Sequence, residues 1–298
     1  MPRYLLLTLD GPLQAYGAPA VDQHGVIDPF PGTALLTGLI ANALGWTHGE
    51  TDRLQALQDR LVHAALAVDP GEALVDFQTA DLGQPYMSDD LAWTTRHRLE
   101  RRKGGSAAEA TTIRRRHYRA GALTRVALTL EPETAPGTGP GGPDLDAVAA
   151  ALARPARPLF LGRKACLPAT PLLPPDGAIV EAADLLDALA ARPVGGTAAG
   201  GPTGAAAARF DRAVEPEDEG TVALSAQWPA PPAGPDIGDR GTIHETLTVV
   251  DRRDWANQIH GSTRPVCRGR LRVALAPDAL DAGKTAPDTD APMAGDAR

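Results

Sequence analysis

The chain has 298 residues, with 29 Lys or Arg against 37 Asp or Glu and a formal net charge of −8. As an average this balance excludes an indiscriminate nucleic-acid binder, which carries a basic excess, and 43 % hydrophobic residues exclude a disordered chain. Cys166 and Cys267 stand alone, which excludes a disulfide framework, and no apolar run reaches the ~18 residues of a membrane span. The first apolar run, Tyr4–Leu9, is too short for a signal segment and is cut by Asp10. These features predict a cytoplasmic chain with no membrane partner.

Arg3–Leu9 reads as a buried strand, stopped by Asp10-Gly11-Pro12. A glycine-punctuated loop runs from Gln14 to Pro31. Thr33 is the expected N-cap of a helix, because its hydroxyl can accept from an orphan amide of the first turn. Leu35, Leu36, Leu39, Ile40, Ala43 and Leu44 then recur at helical spacing, and Gly45 suits the left-handed C-terminal turn. A second helix starts at Thr51 or Asp52 with Leu54, Leu57 and Leu61 on one face, and Ala67–Phe77 reads as a strand. Gln78–Arg119 is polar and basic. Gly121–Leu130 returns to a strand pattern, and Pro132–Pro143 is a loop. Asp144 caps a helix over Leu145–Leu152, and Leu159–Leu161 forms a short strand before Gly162.

The order strand–helix–strand–strand–helix–strand predicts an α+β, ferredoxin-like domain over residues 1–165, with an insertion at about 78–119 between its second and third strands. Beyond Cys166 the chain is loop-rich. Ala182–Ala191 is a helix candidate, Gly195–Gly204 a glycine cluster, Glu215–Glu219 an acidic run, and Ile243–Val250 and Arg270–Ala276 late strands. A smaller β-rich region is expected over 166–276, followed by a disordered tail from Pro277 to Arg298.

The strongest chemical signal is charge distribution. Between Arg96 and Arg119 lie nine cations (Arg96, Arg98, Arg101, Arg102, Lys103, Arg114, Arg115, Arg116 and Arg119) against Glu100 and Glu109, so this segment carries +7 and the remainder −15. His97, His117 and Tyr118 are interleaved, and Gly104-Gly105-Ser106 supplies a flexible tip. Guanidinium groups pair with phosphates, while Tyr or His offers a face to unstacked bases; the alternative is a solvated basic loop balancing an acidic body. Leu161-Gly162-Arg163-Lys164-Ala165-Cys166 places two cations after a glycine, a turn that suits a phosphate and also occurs without function.

Other motifs fail. Gly137, Gly139 and Gly142 spell G-x-G-x-x-G, but Pro140 interrupts them and no acidic residue follows about 20 positions later. H-E-x-x-H, C-x-x-C and G-x-S-x-G are absent from the sequence. Asp89-Asp90 is either a metal-ligand pair or solvated, and no cofactor or metal is expected. His117 and Tyr118 beside Arg114–Arg116 also hold the elements of general acid–base RNA cleavage: a proton-transfer group and cations for the transition state.

Arg3-Tyr4-Leu5-Leu6-Leu7 through Asp10-Gly11-Pro12-Leu13-Gln14-Ala15-Tyr16-Gly17 resembles the start of the CasD family, the fifth-family CRISPR-associated subunit of type I-E Cascade. Phe30-Pro31 leading into Leu35–Gly45, the glycine–basic–Cys–Pro stretch at Pro158–Leu172, Pro193-Val194-Gly195-Gly196 and Arg253-Asp254-Trp255 resemble further landmarks in the same order. The resemblance implies a RAMP-type, RRM-like ferredoxin fold with a projecting thumb hairpin and a smaller C-terminal region. It also implies a non-catalytic subunit that caps the 5′ handle of crRNA beside the Cascade backbone subunits and the large subunit, meeting target DNA mainly through the assembled complex. On this resemblance Gln14, Tyr16 and Gly17 lie in one handle-facing loop and Gly162, Arg163, Lys164 and Cys166 in another. The basic stretch from Arg96 to Tyr118 forms the thumb, with Tyr16 or Tyr118 available to stack a base. Pro132–Pro143, Pro229–Asp239 and the tail are longer than the family pattern. The competing readings are a metal-independent endoribonuclease processing precursor crRNA, as in a related subtype, and a protein-interaction scaffold that touches no RNA.

Overall fold

A strand covered on both faces buries consecutive rather than alternate residues, as Tyr4–Leu7 and Leu123–Leu130 do. The computed structural model describes residues 1–20, 22–81, 91–93, 99–101, 111–132, 142–195 and 220–276, with 80–81, 91–93, 99–101 and 111–112 as backbone. In chain order the elements are β1 (Arg3–Asp10), β2 (Leu13–Gln14), β3 (His24–Gly25), α1 (Thr33–Ala43), α2 (Thr51–Arg60), β4 (Leu61–Asp69), β5 (Glu72–Asp81), β6 (Leu91–Trp93), β7 (Leu99–Arg101), β8 (Thr111–Ala120), β9 (Leu123–Leu130), α3 (Leu145–Ala153), β10 (Ile179–Glu181), α4 (Leu185–Ala190), β11 (Thr221–Pro229), β12 (Gly241–Asp254) and β13 (Ile259–Ala274).

The main sheet is antiparallel with the order β10-β1-β9-β4-β11-β13-β12. Its first four strands carry the fourth–first–third–second arrangement of a ferredoxin-like α+β domain, as the sequence predicts. β1 and β9 are the inner pair of these four. Leu5, Leu7 and Leu9 join the core under α1 and α3, while Tyr4 and Leu6 face the other core with α4 and Trp228. Full burial of each such leucine contributes about 2 kcal/mol. All eight residues of β9 are buried, Arg125 included. Its guanidinium donates to the carbonyls of Leu189, Arg192 and Pro193, which turns a core cation into a C-terminal cap for α4.

Four expectations shift against the structure. Ala67–Phe77 is not one strand: the chain reverses at Gly71, where φ is +62° and a Cβ would stand 2.6 Å from the Ala120 carbonyl. Leu159–Leu161 is not the fourth strand, because the Leu161 amide donates to Cys166 and its carbonyl accepts from Ala15, leaving neither for a ladder. β10 fills that place beside β1. Thr33 is the first helical residue rather than the cap; its amide and hydroxyl both donate to the Asp251 carboxylate, so α1 is capped from β12, 218 residues away. The strands after residue 166 are β-rich as expected, yet β11 pairs with β4 at Ala226–Leu66 and Gln227–Ala65, so they continue the same sheet across 165. Asp144 does cap its helix, accepting from the Ala147 amide at 2.7 Å, and Gly45 has φ +81° at the end of α1.

The insertion is an arm. β5 and β8 pair in register from Glu72–Ala120 to Asp81–Thr111, and β2 and β3 flank the other edge of β8 near its base. The acidic run Glu215–Glu219, Asp89-Asp90, Gly137 and Gly139, Gly196–Gly204 and the tail from Pro277 lie outside the described residues.

Candidate nucleic-acid interface

Alternation along β8 sorts the basic residues by face. Arg114 and Arg116 share one face with Gln78 and Asp76; Arg115 and His117 share the other with Phe77 and Val75. Arg114, Arg115 and Arg116 are exposed, and Arg119 is half-buried. Arg114 donates to the Asp22 carbonyl at 3.0 Å. The Arg115 guanidinium lies 6.0 Å from the centre of the Phe77 ring, which is 56 % exposed. Arg101 lies in β7 as backbone, and Arg96, Arg98, Arg102 and Lys103 lie outside the described residues.

The turn at 162 meets the loop at 14–17. Gly162 has φ +109°, and a Cβ there would fall 2.0 Å from the Ala15 carbonyl oxygen. Only glycine allows this approach. The neighbouring side chains point inward. Gln14 donates to the Leu9 and Ala122 carbonyls and accepts from the Tyr16 hydroxyl. Tyr16 is 2 % exposed, and burial pushes its phenol pKa up. Cys166 is fully buried, which raises its thiol in the same way. Tyr118 is buried beneath Arg163, whose guanidinium is 4.8 Å from the ring centre. The expected base stacking by Tyr16 or Tyr118 is therefore corrected: neither ring presents a face to a ligand. Gly17 and Lys164 are exposed.

Arg163 joins the two halves of the site. It donates to the His117 carbonyl at 2.6 Å and to the Gly25 carbonyl at 2.7 Å, tying the glycine turn to the base of the arm. Its other side faces a groove of about 470 Å³ bounded by Gly17, by α1 and by the β12–β13 hairpin. Gly32, just before α1, and Gly38 within it keep the floor low, and a Cβ on Gly32 would strike that of Asp251 at 2.7 Å.

Besides Lys164, the groove contains residues to which sequence reasoning gave no binding role. Lys164, Arg253, His48 and His260 line it, with buried Trp255 forming its back. His48 stacks on Trp255 at 6.4 Å, and the Arg253 guanidinium covers the same indole at 5.3 Å. Gln58 of α2 holds this wall: it donates to the Arg253 carbonyl at 2.8 Å and accepts from the Arg253 amide at 2.9 Å and the Trp255 indole at 3.2 Å. Burial, then the Arg253 charge, lowers the His260 pKa and favours its neutral form. Asp251 is occupied by Arg264 at 2.8 Å as well as by Thr33, so it offers little free negative charge to the groove. Arg253-Asp254-Trp255 was visible in the sequence as a landmark; what concealed its role is the 195-residue separation from Gln58.

Among the described residues, no three or more His, Cys, Asp or Glu are grouped to hold a metal ion, and no helix is long and apolar enough to cross a membrane. The arrangement offers cations, a low glycine floor and an exposed arm to an extended polyanion.

Comparison with known proteins follows this geometry. No curated protein matches the chain. A chain of a solved structure described as "CRISPR RNA-guided surveillance complex" is 25 % identical, with a TM-score of 0.58, over 94 % of this chain and 96 % of its own. A second, described as "Crystal structure of Cas protein", is 21 % identical with a TM-score of 0.49, over 93 % of this chain and 97 % of its own. The family model described as "CRISPR-associated protein (Cas_Cas5)" matches residues 4–267 of the 298, and the protein therefore belongs to the Cas5 family of CRISPR-associated proteins.

Proposed function

We propose that this chain is a non-catalytic subunit of a type I-E CRISPR surveillance complex and holds the repeat-derived 5′ handle of crRNA beside the backbone and large subunits. The observation that carries this reading is the continuity of positive charge through Arg163. That residue lines the groove with Lys164 and Arg253, and through His117 and Gly25 it abuts the strand bearing Arg115 and Arg116. A single strand following this path meets cations from end to end on an otherwise acidic protein. Phe77, exposed beneath Arg115, supplies the aromatic face that Tyr16 and Tyr118 do not.

Handle RNA titrated at several salt concentrations tests the reading. The log–log slope is expected to be about −0.7 per phosphate neutralised. Replacing Arg114, Arg115 and Arg116 together with Ala should weaken binding at least tenfold and flatten that slope, with the circular dichroism spectrum unchanged. A parent affinity that ignores salt overturns the proposal.

A second reading, a metal-independent endoribonuclease, draws on His48, His260 and Lys164 facing one groove, which is a general acid–base set beside a cation. Repeat RNA incubated with the protein in EDTA separates the two: release of one defined fragment, lost in His260→Ala, supports the enzyme, and intact RNA supports the binder.

A further inference from the structure

Away from the groove, β1 keeps its ladder with β9 through Asp10 but loses its strand partner early on the opposite edge. β10 pairs only with Arg3, Tyr4 and Leu5, and beyond them the edge of β1 is followed by an irregular segment pinned at three points. Leu6 donates to the Ala178 carbonyl at 2.7 Å, Thr8 to Leu172 at 2.8 Å, and Ala169 to the Asp10 carbonyl at 2.8 Å. Between the pins the segment bows outward through Pro171, Pro174 and Pro175, whose fixed backbone resists collapse. It encloses a pocket of about 590 Å³ against the C-terminal end of α3.

The walls are apolar, with Leu152, Leu173, Pro171 and Pro174 among them, and the Asp10 side chain lies in the lining. This carboxylate is half-buried. Its only described side-chain partner is the Thr170 hydroxyl, at 3.5 Å, the outer limit of a hydrogen bond. Burial raises its pKa, and among the described residues no cation lies near enough to offset that. Arg192, on the neighbouring stretch, is instead paired with Asp176.

We infer that this pocket docks a Lys or Arg side chain of another protein subunit of the same assembly. A methylene stem is matched by the leucine and proline walls, and the terminal charge is matched by Asp10. An alkyl side chain would fill the walls and leave the carboxylate uncompensated; a short polar side chain would leave the walls empty. The pocket shares none of its lining with the groove, so the inference requires an assembly but not any particular RNA contact.

Asp10→Asn removes the charge at nearly constant volume, and Ala153→Trp plugs the pocket's rim without touching Asp10. Each variant is co-expressed with differently tagged parent chain and the other subunits of the complex, and the variant-to-parent ratio in the purified assembly is measured. The expected ratio is tenfold or more below unity for both. The isolated Asp10→Asn chain should melt at or above the parent temperature, since an uncompensated carboxylate is lost, and should bind handle RNA with unchanged affinity. Equal incorporation of either variant overturns the inference. So does a lower melting temperature for the isolated Asp10→Asn chain, which would mean that a cation of this chain already fills the pocket. Stabilisation of the isolated parent by 1,5-diaminopentane with normal incorporation of Asp10→Asn would assign the pocket to a small amine instead. Loss of RNA binding in the parent would refute the proposed function and leave the incorporation ratio intact.

Discussion

Arg163→Gln separates a brace from a phosphate ligand, two roles that a simple loss of RNA binding would confuse. The guanidinium donates to two carbonyls at 2.6 and 2.7 Å and covers Tyr118 at 4.8 Å. Hydrogen bonds from a charged donor contribute about 1.5–3 kcal/mol each, and the ring contact about 0.5–2 kcal/mol. Arg163 is partly solvated, and Gln can restore one bond, so the net loss is about 2–3 kcal/mol. In a chain of this size that lowers the melting temperature by about 3–5 °C. Differential scanning fluorimetry reads this directly, and handle RNA titrated at several salt concentrations reads the other half. If Arg163 is a brace, affinity drops because the turn and the arm lose their alignment, while the salt slope is unchanged. If it is a phosphate ligand, the slope becomes shallower by about 0.7. A variant that melts within roughly 2 °C of the parent yet shows the shallower slope refutes the bracing argument.

Gly162→Ala forces a Cβ to 2.0 Å from the Ala15 oxygen at φ +109°; the cost of strain and of the displaced Ala15–Leu161 hydrogen bond is about 2–4 kcal/mol, and a melting curve matching the parent would disprove it. Burial and the Arg264 charge press the His63 pKa from 6.5 to about 3, so the unfolded chain takes up a proton in that window that the native chain refuses. Stability is therefore full above pH 6.5 and falls toward pH 3, by up to about 1.4 kcal/mol per pH unit; in His63→Gln the chemical-denaturation profile should flatten across the window, and an equally steep variant assigns the dependence to other groups. Gln58→Leu leaves the Trp255 indole and the Arg253 backbone without three hydrogen bonds, at a cost of about 2–4 kcal/mol. RNA affinity should fall with the salt slope unaltered, because no cation is removed.

The sheet's first half was legible in the sequence because its signals are local. The apolar run of β1, the alternating pattern of β9, the Asp144 cap and the positive-φ glycine after α1 each depend on neighbours within a few residues. The errors fall where a distant partner decides. Thr33 looked like a cap because nothing local reveals that Asp251 reaches it from 218 residues away. Leu159–Leu161 looked like a strand because the Ala15 and Cys166 hydrogen bonds that divert Leu161 are tertiary. β11 was missed altogether, although Trp228 at its end is fully buried, since its stabilising partners are β4 and β13 on either side. The site divides in the same way. The concentration of arginines could be counted from the sequence, whereas the inward rotation of Tyr16, Tyr118 and Cys166 could not. A polar or aromatic residue in a basic loop reads as exposed until its hydrogen-bond partners, here Gln14 for Tyr16, are known.

The two parts of the interface also differ in what holds them together, and this decides how a ligand will register on each. The arm is a local object: β5 and β8 are joined through 29 intervening residues and pair mainly with each other. The groove is the opposite. Its walls come from residues near 15, 32–42, 162–164 and 251–260, distant in sequence, and contacts such as Gly162 on Ala15, Asp251 on Thr33 and Gln58 on Arg253 hold them together. Unfolding any of these segments removes a wall, so the groove exists only in the fully folded chain. A ligand that spans it is linked to global stability and adds about 2.7 kcal/mol at a hundredfold excess over its dissociation constant. A ligand held by the arm alone stabilises only the arm, whose opening need not unfold the sheet. Handle RNA bound along both should therefore raise the global melting temperature and not merely protect the amides of β5 and β8. Protection confined to those two strands would place the RNA on the arginines of the arm and remove the groove from its path.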